Sequence, residues 1–505
     1  MKIQYKLYTI LAVLLSFSAV AQNYETDAIN IATENYAGSA RFAALSGAFS
    51  SVGADLSNLS HNPAGVGMYR SSMFQVSLGY GYAKNNASFY NKDFGEFKGN
   101  LLIPSAGAVF STKKPSKKGT IRNAAFAIGV NQLADYTYNE TIEHFNETPN
   151  ASMTNIWNTE MNTVYGATNA DVVDGLPSLD DVSFETFNAY YGYLVNWDST
   201  VLGYTTPVQG SFKQTRYNER TGKKHEMFIS AGANYLDKLY FGATIGIPIL
   251  NYRLNSIYSE EDTQNDSLNT FFNSYEMQNN YKMEGLGFNF KAGLIYKPTQ
   301  WFRMSAAFHT PERISMTENY SSQLSSRNDY YNTDNDALTG EANYKLRLPW
   351  KANAGMSFYY KTNGFISVDY QTVGYNSMKY DFGNNFRDYN NLINSQLKNK
   401  YQNTHQVRVG IEAVIKVLRL RAGYSYTTSP IKKAFRVNAS DLSRQSFSGG
   451  IGFLFNQKFA LDFAYVHYLT KEFEQPYLIQ GVDISGINKK ISRGTGVVSF
   501  AYRFR

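Results

Sequence analysis

The stretch Gln406-Val407-Arg408-Val409-Gly410-Ile411-Glu412-Ala413-Val414-Ile415 decides the fold. Its odd positions are Val407, Val409, Ile411, Ala413 and Ile415, while the even ones include Gln406, Arg408, Gly410 and Glu412. Successive side chains of a strand point to opposite faces, so one face is apolar and the other is polar and charged. Segments of about ten residues with this pattern recur through residues 73–505, joined by alternately short and long polar connections. That rhythm predicts an all-β protein, a transmembrane antiparallel β-barrel with lipid outside and water within.

Strand candidates begin near Met73, Leu101, Arg122, Glu226, Leu239, Lys282, Trp301, Asn343, Gly364, Thr404, Leu418, Gln445, Phe459 and Thr495, about 14 in all. An even count is what bacterial outer-membrane barrels show. Short connections fall at Asp237-Lys238, 298–300, 361–363, Val417 and Gln457-Lys458, with a slightly longer one at 113–121. The long ones, such as 139–225 (the longest), 251–281 and 371–403, are rich in Asn, Tyr, Ser and Asp. Short turns are periplasmic in such barrels, so both barrel ends are expected in the periplasm and the long loops outside the cell. Tyr80, Tyr82, Tyr359, Tyr360, Tyr424, Tyr426, Tyr465 and Tyr468 lie near strand ends and are expected to form interfacial girdles. The last segment alternates Val498, Phe500, Tyr502 and Phe504 with polar or small residues, resembling the final-strand signal read by barrel-insertion machinery.

Composition supports this class and excludes others. The mean hydropathy is −0.38, odd for a helical membrane protein but natural when each spanning segment turns half its side chains inward. One continuous apolar run exists, residues 7–17, preceded by Lys2 and Lys6 and followed by Ala19-Val20-Ala21. It reads as a cleavable signal peptide, residues 1–21, with Gln22 opening the mature chain. The sequence has no Cys, which removes disulfides, thiolate metal sites and a lipidated N-terminus together. A net charge of +7 is spread along the chain, and its one cluster, Lys113, Lys114, Lys117 and Lys118, reads as a solvated turn and not a nucleic-acid site.

Residues 22–72 do not alternate like a spanning strand. They are rich in Gly and Ala, and Phe42, Leu45, Phe49, Val52, Leu56 and Leu59 recur at a spacing that suits short helical pieces packed on a surface. The nearest surface is the barrel lumen. Gly38-Ser39-Ala40-Arg41-Phe42-Ala43-Ala44-Leu45-Ser46-Gly47-Ala48-Phe49, followed by Asn62-Pro63-Ala64-Gly65, resembles the N-terminal hatch of the FadL/OmpP1/TodX family of outer-membrane transporters. Gly293-Leu294-Ile295-Tyr296-Lys297-Pro298, Arg421-Ala422-Gly423-Tyr424 and Gly449-Gly450-Ile451-Gly452-Phe453 are similar to its recurring hairpins, and the resemblance covers nearly the whole mature chain. It implies a 14-stranded barrel plugged by residues 22–72, carrying hydrophobic molecules, typically long-chain fatty acids, passively inward without a cofactor.

The resemblance also implies capture near the outer loops, passage beside the hatch, and lateral exit at a kinked third strand. In that strand the polar pair Asn131-Gln132 interrupts the alternation of Phe126, Ile128 and Val130. Both a bulge at a lateral opening and a strand reaching the interface fit this pair. Arg303, Arg408, Arg419 and Arg421 have inward parity and are candidates for a ligand head group, with pairing to Glu412 or Asp462 as the structural alternative. The family's capture groove uses the third and fourth external loops, whereas here the second is longest and carries Trp157 and Trp197. The other classes are an open porin, an adhesin acting through its loops, and an outer-membrane hydrolase. No catalytic or metal motif surrounds any of the six His, so no enzyme is expected. Expected partners are a fatty-acid-like ligand, outer-membrane lipid and lipopolysaccharide, and the insertion machinery.

Overall fold

The computed structural model describes residues 24–504 except 36–37, 113–119, 149, 166–176, 180, 265–267, 270 and 438–440. The expected signal peptide and the lysines of 113–118 lie outside the described residues. Fourteen antiparallel strands form the barrel: β1 (Ser72–Phe89), β2 (Lys92–Ser111), β3 (Ile121–Asp135, continued by Tyr138–Asn146), β4 (Phe212–Tyr235), β5 (Leu239–Glu261), β6 (Phe272–Tyr296), β7 (Phe302–His309 and Arg313–Asn328), β8 (Leu338–Arg347 and Lys351–Tyr360), β9 (Gly364–Gly374), β10 (Asn403–Ile415), β11 (Leu418–Thr427), β12 (Arg444–Phe455), β13 (Phe459–Glu474) and β14 (Ile487–Phe504). β1 pairs with β14 from Ser72↔Phe504 to Ser88↔Asn488, which closes the sheet.

Burial is inverted relative to a water-soluble protein. On β10 the odd residues face out, with Ile411 47% exposed, while Glu412 on the other face is 7% exposed. Aromatics follow the same parity: Tyr80, Tyr360, Tyr424, Tyr426 and Tyr465 are exposed. Tyr359 and Tyr468 depart from the girdle expectation because their neighbours Tyr360 and Leu469 hold the outward positions. Tyr359 lies instead beneath the Arg303 guanidinium, 4.1 Å away.

Several strands run far past the membrane. β4, β5 and β6 have 24, 23 and 25 residues, whereas about 10 tilted residues cross a bilayer. The connection between β1 and β2 was expected to be long. It is a two-residue turn, Tyr90-Asn91, with both residues at positive φ (45° and 62°), because both strands extend outward and bring the polar residues 83–98 into the ladder. Within 139–225, Tyr138–Asn146 pairs with β4 as far as Phe212, leaving 147–211 as the excursion beyond the strands.

The segment before β1 sits inside the barrel. It contains α1 (Tyr24–Ala32), α2 (Ala40–Ala43) and 3-10 turns at Ser57–Ser60 and Pro63–Met68. Phe42, Leu45, Phe49, Val52, Leu56 and Leu59 are all buried. Where this plug backbone meets the wall, the wall carries glycine: a Cβ on Gly242 would lie 2.3 Å from the Pro63 carbonyl oxygen, and one on Gly293 2.0 Å from Asn62 Oδ1. Gly450 faces Ala44 in the same way, a Cβ there lying 2.6 Å from that of Ala44.

Gly293→Ala is therefore expected to destabilise the plugged barrel by about 1–3 kcal/mol, the usual cost of overpacking. The temperature at which the protein loses its heat-modifiable gel mobility measures this, and an unchanged transition would contradict the contact.

Candidate functional site

The plug is seated by polar groups of the lumen wall. Asp369 on β9 accepts hydrogen bonds from the backbone N–H groups of Phe49 (2.8 Å) and Ser50 (2.7 Å), whose chain bends there. Asn62 begins the Pro63–Met68 turn: its Oδ1 accepts from Ala64 N (3.1 Å) and its Nδ2 donates to the Ser50 carbonyl (2.9 Å). Pro63, at the first position, needs no N–H donor there, and Gly65 passes close to Asn58. The next carbonyl back, of His61, meets His309 Nε2 (2.8 Å) and Asn353 Nδ2 (2.9 Å).

The four arginines do different things. Arg421 is held by Glu412 (2.6 Å) and Asp462 (2.5 Å), and Glu412 also meets Arg41 of the plug (3.3 Å). Arg303 donates to the Val52 carbonyl (3.1 Å), and Arg419 donates to the turn carbonyls of Lys416 and Leu418. Arg408 bonds Gln371 (2.8 Å), Gln406 (2.6 Å) and His61 Nε2 (2.9 Å), at the edge of a lumen cavity also lined by Glu34, Leu133, Lys351 and Tyr468.

The third strand is broken where Asn131 and Gln132 stand. β2 and β3 share seven residue pairs, from Ser111↔Ala125 to Ser105↔Asn131, and none further out. The register with β4 slips between Gln132 and Ala134, making Leu133 the inserted residue. Across the break, Pro104 has no N–H to offer, and β1–β2 slips in turn between Ser77 and Gly79. Asn131 turns inward and donates to Ser60 Oγ (2.8 Å) in the plug. Gln132, Leu102, Pro104 and Asp135 line a small cavity behind the break.

Sequence reasoning missed the groups around α1. This helix lies in the long-loop half of the lumen against an apolar wall that includes Leu250, Met283, Ile314, Met316, Tyr344 and Leu346. α5 (Arg387–Lys400), between β9 and β10, covers it, and Leu397 joins the same cluster. Tyr380 and Tyr401 hydroxyls donate to the carbonyls of Tyr24 and Glu25 (2.9 Å each). Just past α1, the Glu34 carboxylate is 2.5 Å from Lys351 Nζ and 3.9 Å from Lys224 Nζ, and Glu312 pairs with Lys224 at 2.7 Å. Lys224 and Lys351 share inward parity on distant strands, and nothing local in the sequence marks that they meet.

The described residues of the excursion 147–211 fold over the barrel mouth as a cap. α3 (Thr154–Tyr165) buries Trp157 among Met161, Val182, Phe212 and Tyr275, whereas Trp197 is exposed. Glu160 accepts from Ser183 N (2.8 Å) and Thr186 Oγ1 (2.5 Å), fixing the start of α4 (Phe184–Tyr191). Burial pushes the Glu185 carboxyl up to about 7, with nearby Glu160 adding to the shift and the Asn279 hydrogen bond opposing it.

His467 bonds Tyr465 OH and Ser492 Oγ at 3.1 Å each on the outer face. The strand around Ser492 is paired on both sides, with β1 and β13, so an oxyanion there would find no free pair of backbone donors. Among the described residues no group of three acidic or His side chains could hold a metal ion.

A closed barrel with apolar exterior, charged lumen and internal N-terminal plug defines a plugged outer-membrane β-barrel. Residues 231–490 match the family model described as outer membrane protein transport protein (OMPP1/FadL/TodX). The chain belongs to that family. The similar solved structures include a Pseudomonas aeruginosa FadL homologue (15% identity, 94% of this chain and 99% of that one, TM-score 0.54). The Pseudomonas putida toluene transporter TodX is another (14% identity, 93% and 100%, TM-score 0.52). No curated protein matches the chain in sequence.

Two outcomes are expected. Asp369→Ala leaves the Phe49 and Ser50 N–H groups without their carboxylate, at a cost of about 2–3 kcal/mol; single-channel conductance in planar bilayers should rise, and unchanged conductance would sink the seat assigned to Asp369. The second concerns the cap. The Glu185 carboxyl is raised from 4.5 to about 7, so its contribution to cap packing is complete below pH 4.5 and lost as pH rises through 7. Protease cleavage within 147–211 should accelerate between pH 5 and 8 in the native protein and lose that dependence in Glu185→Gln.

Proposed function

We propose that this protein admits long-chain fatty acids passively across the outer membrane, short turns and barrel ends facing the periplasm and long loops facing outward. An apolar chain gains about 0.8 kcal/mol for each methylene removed from water, so a wet pore gives it no reason to enter whereas an apolar lumen does. One observation carries the choice of cargo. The plug's own segment places one apolar face of α1 (Tyr24, Ala28, Ile29, Ile31 and Ala32) in the apolar compartment and then a carboxylate, Glu34, on Lys351 and Lys224. A fatty acid has that order of parts, and it would replace α1 and Glu34 on entry. Arg408 borders the same cavity and is a second head-group contact. Arg303, Arg419 and Arg421, held by plug, turn or carboxylates, serve the scaffold in this reading.

Exit is assigned to the break between β2 and β3. Tyr468 lines the cavity at Lys351 and Arg408 and also the one behind Gln132 and Pro104, so the two are neighbours. The plug argues against an open porin, because its contacts occupy the lumen from Asp369 to Glu226.

Titration of the purified protein with palmitate and with hexadecanol tests the head-group reading. Lys351→Met should weaken palmitate about tenfold, the worth of one charge-assisted hydrogen bond, and spare hexadecanol. Glu34→Gln should strengthen palmitate by removing its competitor. Equal effects on both ligands would refute the carboxylate site. Deleting Leu133 should restore a regular third strand and lower cellular oleate uptake; full uptake would reject the exit.

A further inference from the structure

The outer face of the barrel carries a row of like charges that the transport reading does not use. Cross-strand register places Arg313 on β7 opposite Arg347 on β8, and Arg347 opposite Lys379 on a short strand, Lys379–Asp381, after β9. The adjoining row is Ser315, Lys345 and Asp381. All six side chains are on the exposed face. Neighbours in such a row stand about 5 Å apart, and like charges there repel. Among the described residues Asp381 is the one carboxylate in these two rows, against four cations. Its Oδ1 accepts from Gly383 N (2.9 Å).

The level of the row is as telling as its charge. On β6, the residues beside Arg313 and Ser315 are Phe288 and Leu286, both more than half exposed, at 54% and 60%. Towards the short-turn end follow Phe308 and Trp350, whose rings stack at 6.3 Å. Towards the long-loop end the outward residues are polar: Glu284, Thr317 and Asn343. The four cations thus sit at the rim of the apolar belt on the long-loop side, where head groups of the outer leaflet lie. Two guanidiniums and two ammoniums supply the fork and point donors that phosphate oxygens accept.

We propose that Arg313, Arg347, Lys379 and Lys345 form a binding site for the phosphorylated saccharolipid of the outer leaflet, its phosphates on the cations and its acyl chains along Phe288, Leu286 and Phe308. The bound lipid relieves the repulsion within the row and fixes the height of the barrel in the membrane. The site is independent of the cargo route, which runs inside the wall.

The test is native mass spectrometry of the full-length protein in detergent, after delipidation and addition of hexa-acylated diphosphoryl lipid A. The native protein should retain one lipid A, and R313Q/R347Q/K379Q should retain it about tenfold less, as expected for lost charge-assisted bonds. The same number of charges removed at the short-turn end (K238Q/K361Q/K458Q) should change nothing. Heat-modifiable mobility and palmitate binding show that each variant is folded. Equal retention by the first variant overturns the proposal, as does native protein that retains dephosphorylated lipid A or phosphatidylglycerol equally well. Displacement of lipid A by millimolar inorganic phosphate would reduce the site to a simple anion site and likewise overturn it.

Discussion

Closure of β1 onto β14 is the constraint from which the rest follows. In hydrocarbon no water is available to an unpaired N–H or carbonyl group, so a spanning sheet must have no edge. The 17 residue pairs from Ser72↔Phe504 to Ser88↔Asn488 remove that edge. Once the wall is closed, lipid solvates one face of the spanning part and its polar side chains are turned into a space of fixed width. That space must be filled by water, by ion pairs or by chain.

Here chain and ion pairs fill it together. The plug arrives from the short-turn end, where β1 begins, and reaches α1 at the opposite half. Its backbone carbonyls and N–H groups are satisfied by wall side chains such as Asp369, Asn131 and His309. Buried Glu226 pairs with Lys291 and also accepts from Ser60 of the plug. A buried ion pair by itself adds little stability, since desolvation offsets attraction. Its use here is geometric: removing one partner leaves an uncompensated charge, so the plug has one seat. The seat of α1 is mixed: Tyr380 and Tyr401 bond its first carbonyls and Lys400 pairs with Glu25, while its buried side chains make apolar contacts. Apolar contacts are not directional, and another apolar occupant of similar shape satisfies them as well.

The wall and the presence of a plug inside it were legible in the sequence, and the contacts within the interior were not. Alternation at 406–415 gave the fold and the facing of Val409 and Glu412 correctly, because parity is a local property. The polar pair Asn131-Gln132 marked an irregular strand for the same reason. Strand lengths were underestimated: beyond the membrane β1 turns Lys84, Asn86 and Ser88 outward and buries the small or polar Ala83, Asn85 and Ala87, so the apolar alternation fades and the Tyr90-Asn91 hairpin disappears into what reads as loop. Contacts such as Glu34 with Lys351 link residues hundreds of positions apart, and only the closed sheet brings them together.

One further signal was present and follows from the same physics. Along β6 the outward residues Leu286, Phe288, Phe290 and Leu294 are apolar and exposed, whereas further out the buried residues Tyr275, Met277 and Met283 are the apolar ones. β5, β7 and β8 reverse in the same way, with Leu250, Ile314, Met316, Tyr344 and Leu346 inward. The reversal falls where Pro248, Pro311 and Pro349 interrupt neighbouring ladders. A wall in lipid must be apolar outside, and a wall in water around an apolar compartment must be apolar inside. A strand serving both purposes has to change the phase of its alternation between them. The prolines mark that boundary: on one side the chain is an anchor, and on the other it is the wall of an apolar compartment.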